Sequence, residues 1–460
     1  MLRSKLYVCL IFCLLFNTVI AQKEKPPQGG TPKDFKLPQK ESFSLKNGLK
    51  ATLVPYGKLP KVTIRIVVRA GNLNEDKNEV WLADLTGDMM KEGTEHRTGE
   101  QIALEAASMG GEVNVSVGAD QTSISGDVLS EFAPDLVELL ADIVRFPLFP
   151  ESELERLKKD MIRDLNIQKS QPRSMAQEKF RQVLYGDHPY GRVFPTEAMI
   201  QSYDVQKVRN FYEKNFGALR THIYVVGVFD ENKVKQAIRK AFKDWQAGPE
   251  PLINIPEAST KRSIYIIDRP GARQSTVYVG LPVIDPSHPD YMALMVTNTL
   301  LGGSFASRIT SNIREDKGYT YSPFSRVSAR FRDAYWVEIA DVTTEVTGPA
   351  LREIFYEINR LQEEPPDQEE LRGIQNYMAG TFVLINSSRS GIIGQLAFMD
   401  LHGLDESYLT NYVKNVYAVT PKQVQKIAQN YLRDEEMTIV IAGDRKKIEK
   451  QVAKFGPVRM

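Results

Sequence analysis

Thr63-Ile64-Arg65-Ile66-Val67-Val68 and Ser275-Thr276-Val277-Tyr278-Val279-Gly280 are two runs rich in β-branched and aromatic residues, each followed by a helical pattern. Two further echoes keep the same order. Val205-Gln206-Lys207-Val208 returns as Val424-Gln425-Lys426-Ile427, each with an aromatic pattern ending at Tyr212 and Tyr431. Ile223-Tyr224-Val225-Val226-Gly227 returns as Thr438-Ile439-Val440-Ile441-Ala442-Gly443. The second helical copy has a start signal, Thr420 as N-cap with Pro421 at the first helical position. The chain therefore reads as two copies of one design with a period a little over about 210 residues. Pro249, Pro251 and Pro256 mark a linker over 248–261, between an N-terminal domain at 41–247 and a C-terminal domain at 262–460.

Each copy mixes strands with amphipathic helices. Leu154-Leu157-Met161-Ile162-Leu165 and Leu351-Ile354-Ile358-Leu361 carry helical spacing, and Glu112 to Val128 reads as a hairpin. That predicts an α+β fold of two homologous domains. Each is a largely antiparallel sheet with helices packed on one face, forming one half of a clamshell.

Bulk properties narrow the function. Arg3 and Lys5, the apolar run Leu6 to Ile20 and Val19-Ile20-Ala21 predict a signal peptide over 1–21, so the chain is expected to be exported. Its apolar run is shorter than a membrane span needs. Residues 22–40 are polar and rich in Pro and Gly, the pattern of a flexible tether. Both cysteines, Cys9 and Cys13, fall in the signal, so the mature chain would hold neither a disulfide nor a thiolate metal site. With 59 basic against 58 acidic residues there is no footprint for nucleic acid, and no later apolar run is long enough to span a bilayer.

Gly302-Gly303-Ser304-Phe305, Ser307-Arg308 and Ile313-Arg314-Glu315-Asp316-Lys317-Gly318-Tyr319-Thr320-Tyr321 resemble the C-terminal-domain signature of the pitrilysin/insulinase peptidases, which include mitochondrial processing peptidase. Gly110 to Asn114, Tyr185 to Gly191, Val226-Gly227 and Ala442-Gly443-Asp444 match further landmarks in the same order, across nearly the whole mature chain. The resemblance implies paired subunits enclosing a chamber. It also implies a place for an inverted zinc motif, His-x-x-Glu-His, in which two imidazoles hold zinc and the Glu between them is the base. Counting back from Gly93-Thr94, that place holds Asp84 and Asp88 for the histidines and Gly87 for the base, and the distant Glu ligand falls near Asp164 or Leu165. His96, His188, His222, His288 and His402 each stand more than 30 residues from the next, so no pair of imidazoles sits one helical turn apart. No metal site is expected in this chain. Zinc is expected in a partner, a similar-length exported relative with the motif intact.

Active relatives use an Arg and a Tyr seven residues apart to contact the bound peptide at a zinc site. Arg314 and Tyr321 have that spacing, and a guanidinium and a phenol supply donors suited to an oxyanion. The edge strand that takes up substrate in active relatives corresponds to Gly111, Val113 and Asn114. Trp81, Met89, Met90 and His188 read as structural. The expectation is a non-catalytic subunit of a heterodimeric zinc peptidase, periplasmic by the family's usual setting, acting on peptides or unfolded segments. The alternatives are a structural or peptide-binding clamshell without chemistry, and an enzyme using Asp84 and Asp88 with another metal.

Overall fold

A computed structural model describes residues 35–459. Its first sheet comprises β1 (Glu41–Ser44), β2 (Lys50–Pro55), β3 (Lys61–Val68), β4 (Val113–Val117), β5 (Thr122–Leu129) and β6 (Thr221–Gly227), in the order β1-β2-β6-β3-β5-β4. The second comprises β7 (Ser263–Asp268), β8 (Gln274–Val283), β9 (Phe324–Arg330), β10 (Asp333–Thr343), β11 (Thr438–Gly443) and β12 (Val458–Arg459), in the order β12-β7-β11-β8-β10-β9. Each sheet has one internal parallel pair at the same place, β2 with β6 and β7 with β11. The expected hairpin is β4–β5, and Thr420 caps its helix with a reciprocal capping box. The ladders refine the repeat: Thr63 lies opposite Val226 and Thr276 opposite Ala442, so Thr63 corresponds to Thr276, one residue beyond the alignment on Ser275.

Alternation along the strands divides each sheet into two apolar faces. In the first sheet Ile64, Ile66, Ile223 and Val225 face that half's own helices, Leu82–Lys91, Ala133–Arg145 and Glu231–Phe242. In the second, Val277, Val279, Ile439 and Ile441 do the same against Tyr291–Leu301, Thr347–Glu363 and Pro421–Tyr431. The opposite faces are covered by exchange. Val54, Val67, Tyr224 and Val226 of the first sheet pack on Ile392, Ile393 and Leu396 of the helix Arg389–His402. Tyr278, Tyr335, Val337 and Val440 of the second pack on Ala176, Phe180 and Leu184 of the helix Pro172–Tyr185. Phe180 meets Tyr335 at 5.5 Å and Tyr278 at 6.0 Å between ring centres. A methyl group at Gly280 would lie 2.3 Å from the Trp336 carbonyl oxygen and 2.9 Å from the Phe180 ring, so the helix approaches where a side chain is missing.

The exchange is symmetric in detail. Arg389, at the start of one crossing helix, pairs with Asp127 of β5 at 2.8 Å, and Thr63 donates to the same carboxylate at 2.6 Å. Arg173, near the start of the other, pairs with Asp341 of β10 at 2.7 Å, and Thr276 donates to it in turn. Burial raises the Asp127 carboxyl, but the hydrogen bonds from Thr63, Arg389 and Lys61 prevail and hold it below its ordinary value.

No helix among the described residues is long and apolar enough to cross a membrane. The expected signal peptide and residues 22–34 of the expected tether lie outside the described residues. The tether's last six, 35–40, are not free: Phe35 stacks edge-on to Phe382 at 4.9 Å, Leu37 joins the same cluster, and Lys40 pairs with Glu406 at 3.0 Å. Two apolar side chains in a polar stretch explain why that end docks.

Phe180→Ala is expected to lower the free energy of unfolding by about 3–5 kcal/mol, read by urea denaturation. The first half expressed alone, ending at Ile255, would leave Val54, Val67, Tyr224 and Val226 uncovered. It is expected to aggregate where the full chain stays in solution, as gel filtration of both would report.

Candidate functional site

The helix Leu82–Lys91 carries Asp84, Gly87 and Asp88, the three positions that the resemblance assigns to a zinc motif. It begins at Trp81, whose backbone is left-handed at φ 69° and whose indole donates to the Val193 carbonyl at 3.0 Å while stacking edge-on to Phe194. A bulky residue in that region costs on the order of 1 kcal/mol, offset here by the hydrogen bond and packing. Leu82, Ala83, Leu85, Met89 and Met90 turn into the core.

Asp84 faces a cleft and accepts from the Asn72 side chain at 2.7 Å. Asn72 also donates to Glu75 at 3.0 Å, and the same Glu75 oxygen accepts from the Ala83 backbone N–H, capping the helix from outside it. Burial pushes Glu75 up to about 8, with the Asp84 charge adding to the shift against its hydrogen bonds. Burial likewise pushes Asp84 up to about 6, with Asp88 adding. Asp88 is half-exposed and pairs with Lys91 at 3.2 Å, one turn along its own helix. Asn72 and Glu75 escape sequence reading. Their only trace is a polar Asn-Leu-Asn-Glu stretch just after β3, which looks like an ordinary loop.

Gly87 closes the question of a base. A Cβ there would lie 2.7 Å from Val117 Cγ2 and 3.4 Å from Val115 Cγ1, so β4 rests against the helix where a catalytic side chain would stand. Of the two residues expected near the distant-ligand position, Leu165 is buried in the core of the first half and Asp164 is exposed. Among the described residues no group of three or more His, Cys, Asp or Glu is placed to hold a metal. The five histidines are dispersed: His96 binds Asp142, His222 binds Asp400, and His188 accepts from the Tyr190 N–H at the start of a tight turn. These residues do not fit zinc.

Val113 and Asn114 lie on β4, which pairs with β5 alone and ends the sheet with an open edge. Gly111 does not belong to the strand. It sits in the turn before it, where a Cβ would lie 2.0 Å from the Asp127 carbonyl oxygen, so close backbone approach explains the glycine.

Arg314 and Tyr321 come together through local chain geometry. Ser311–Asp316 forms a π-helical turn, Gly318 follows in the left-handed region at φ 65°, and the Tyr319 N–H bonds back to the Ile313 carbonyl at 2.8 Å. The reversal brings the Tyr321 ring centre to 4.9 Å from the Arg314 guanidinium, and Phe305 stacks on the same group at 4.4 Å. Arg314 also pairs with Glu315 at 3.0 Å. Tyr321 is 79% exposed and Phe305 66%, so the cluster faces solvent. The cleft beside Asp84 is lined from the second half by Arg330, and neither Arg314 nor Tyr321 is part of its lining.

Residues 55–194 match the family model described as insulinase, peptidase family M16, and residues 202–378 match that of the peptidase M16 inactive domain. A Bacillus subtilis protein named an uncharacterized zinc protease is 23% identical over 403 residues, spanning 87% of this chain and 97% of its own length. A Helicobacter pylori protein named a non-peptidase homolog is 22% identical over 401 residues, spanning 85% and 90%. The crystal structure of a peptidase M16 inactive domain from Pseudomonas fluorescens superposes with a TM-score of 0.80 at 26% identity, covering 88% of this chain and 98% of that one.

Because Asp84 holds its proton more tightly folded than unfolded, its ionisation costs stability as pH rises from about 4 to about 6, and the cost persists above. Asp84→Asn keeps the acceptor for Asn72 and removes the charge. It is expected to be about 1–2 kcal/mol more stable than the parent at pH 8 and no more stable at pH 4, measured by thermal or urea unfolding at both values.

Proposed function

The chain belongs to the insulinase family of peptidases, M16, as a member without the catalytic site, and from that premise we propose that it is the non-catalytic subunit of an exported two-chain zinc peptidase. Its partner is a similar-length exported relative carrying His-x-x-Glu-His, and zinc on that partner supplies the activated water. This chain contributes the chamber wall and the donors of Arg314 and Tyr321 to the peptide bound there. The substrates are peptides or unfolded segments, since an enclosed chamber keeps folded proteins out. The compartment is the periplasm, on the reading of residues 1–21 as a signal.

One contrast carries the reading. At Gly87 the place of the base is packed shut by Val117, while Tyr321 stays exposed at 4.9 Å from the Arg314 guanidinium, whose side chain is 24% exposed. A guanidinium offers forked, permanently charged donors and a phenol offers one more, suited to a carbonyl oxygen gaining negative charge. Losing one such donor costs about 2.7–4 kcal/mol in the barrier.

A second reading, a peptide-binding or structural clamshell with no part in catalysis, is favoured by one observation. Glu315 at 3.0 Å already engages Arg314, so the guanidinium has a partner without any substrate.

Purified alone, the protein is expected to hold no stoichiometric zinc and to cleave no unstructured peptide. With its motif-bearing partner, peptide cleavage is expected, and Arg314→Ala is expected to lower kcat about 10²–10³-fold with assembly intact by gel filtration. Tyr321→Phe should act in the same direction. Normal turnover in both variants would overturn the assigned roles and leave the second reading.

A further inference from the structure

The cleft beside Asp84 encloses about 280 Å³, and Asn72, Trp81, Arg181, Arg192 and Arg330 share its lining. Arg181 lies on the crossing helix Pro172–Tyr185 and Arg330 at the end of β9, so the two halves each supply a cation. Their hydrogen bonds inside the protein go to backbone carbonyls: Arg181 to Tyr190 at 2.7 Å, Arg192 to Glu75 at 3.3 Å, Arg330 to Ala329 at 2.9 Å. Among the described residues, none of the three has a carboxylate in ion-pair range. The Nε atoms of Arg192 and Arg330 are buried without a partner. The acids nearby are engaged elsewhere: Asp120 takes the Tyr190 hydroxyl, Asp333 the Tyr185 hydroxyl and Asp84 the Asn72 amide. Burial, and then the neighbouring Arg330 charge, disfavour the Arg181 cation. Arg181 is withdrawn from water, Arg192 and Arg330 are half-buried, and none of the three is held in an ion pair; a forked, bidentate acceptor relieves the cost of such a cluster.

The open edge of β4 leads to this place. Val115 and Val117 rest on the helix that carries Asp84, and Ala119, two residues past the strand, lines the cleft. A peptide added to β4 by main-chain hydrogen bonds would reach the arginines at its Val117 end.

We propose that this cleft is a carboxylate-binding subsite, in which Arg181, Arg192 and Arg330 take the C-terminal or side-chain carboxylate of a peptide laid along β4. The inference rests on the peptide-binding part of the function proposed above. It assigns the cleft a recognition role in place of a catalytic one.

Three labelled versions of one unstructured peptide test it by fluorescence anisotropy with the full mature chain. One has a free C-terminus and no acidic residue, one is amidated with a single Glu, and one is amidated with none. At least one carboxylate-bearing peptide is expected to bind tenfold or more tighter than the neutral one, and which does so identifies the source of the carboxylate. That preference should fall below twofold in Arg181→Gln and in Arg330→Gln. The second variant decides the matter if the first, at a buried position, fails to fold by circular dichroism. Equal affinity for all three peptides would remove the subsite and leave peptide binding standing, whereas no binding of any would remove both. A preference that survives in folded Arg330→Gln would overturn the assigned residues.

Discussion

The architecture depends on a reciprocal debt between the two halves. Each sheet is apolar on both faces, and each half has helices enough of its own for one. The other face is covered by a helix sent across, Pro172–Tyr185 in one direction and Arg389–His402 in the other. Magnitudes separate what holds the crossing from what orients it. Fully burying a Phe, Leu or Ile side chain contributes about 1.5–3 kcal/mol, and each crossing helix buries several. The ion pairs Arg389–Asp127 and Arg173–Asp341 are partly exposed on both sides, where such pairs give about 0–1 kcal/mol. Apolar burial supplies the stability. The two Thr–Asp–Arg clusters set the register, because a guanidinium at the first turn of each helix meets its carboxylate in one alignment only. The halves therefore cannot swing apart while each keeps its own core. A cleft with Arg181 on one wall and Arg330 on another inherits that rigidity.

The lost metal site shows the same packing logic at a smaller scale. Zinc chemistry fails here for want of imidazoles, and the space has also been taken. Val117 occupies the approach to Gly87, and Leu165 joins the hydrophobic core. What remains polar is a liability: Asp84 and Glu75 are carboxyls in a poorly solvated spot, both pushed toward the protonated form and held by one amide, Asn72. The three arginines nearby do not neutralise them, so the site keeps separate acidic and basic sides rather than a satisfied ion-pair network. That separation leaves the guanidiniums open to something else.

Much of this was legible in the chain. The duplicated strands, the hairpin and the capped helix at Thr420 follow from local pattern, which needs no knowledge of what lies across the fold, and the family resemblance supplied the zinc-motif positions Asp84, Gly87 and Asp88. The expectation placed helices on one face of each sheet only. What would cover the second side was not readable, because the covering helix comes from the other half. A trace existed in Arg173-Ser174 and Arg389-Ser390, the same dipeptide at the start of both crossing helices. Two residues are too short a match to separate from chance without the structure. Arg181, Arg192 and Arg330 were invisible for a different reason. An arginine in sequence reads as a solvated surface residue, and only the fold gathers these three, partly buried, around one cleft.

The contrast between the two candidate surfaces bears on what the molecule is for. Gly87 and Leu165 are accounted for by folding: one leaves room for Val117 and the other packs in the core. Arg314, Tyr321 and Phe305 are not. A cation stacked on exposed rings contributes about 0.5–1 kcal/mol, and a phenol 79% exposed buries too little surface to matter to the core. The π-turn that gathers them is itself a departure from regular helix, with one backbone residue in the left-handed region to close it. The local geometry stabilises little and presents the Tyr321 phenol to solvent beside a guanidinium that Glu315 engages. The chain thus divides into a packed wall that carries the stability and a small exposed group that carries little of it.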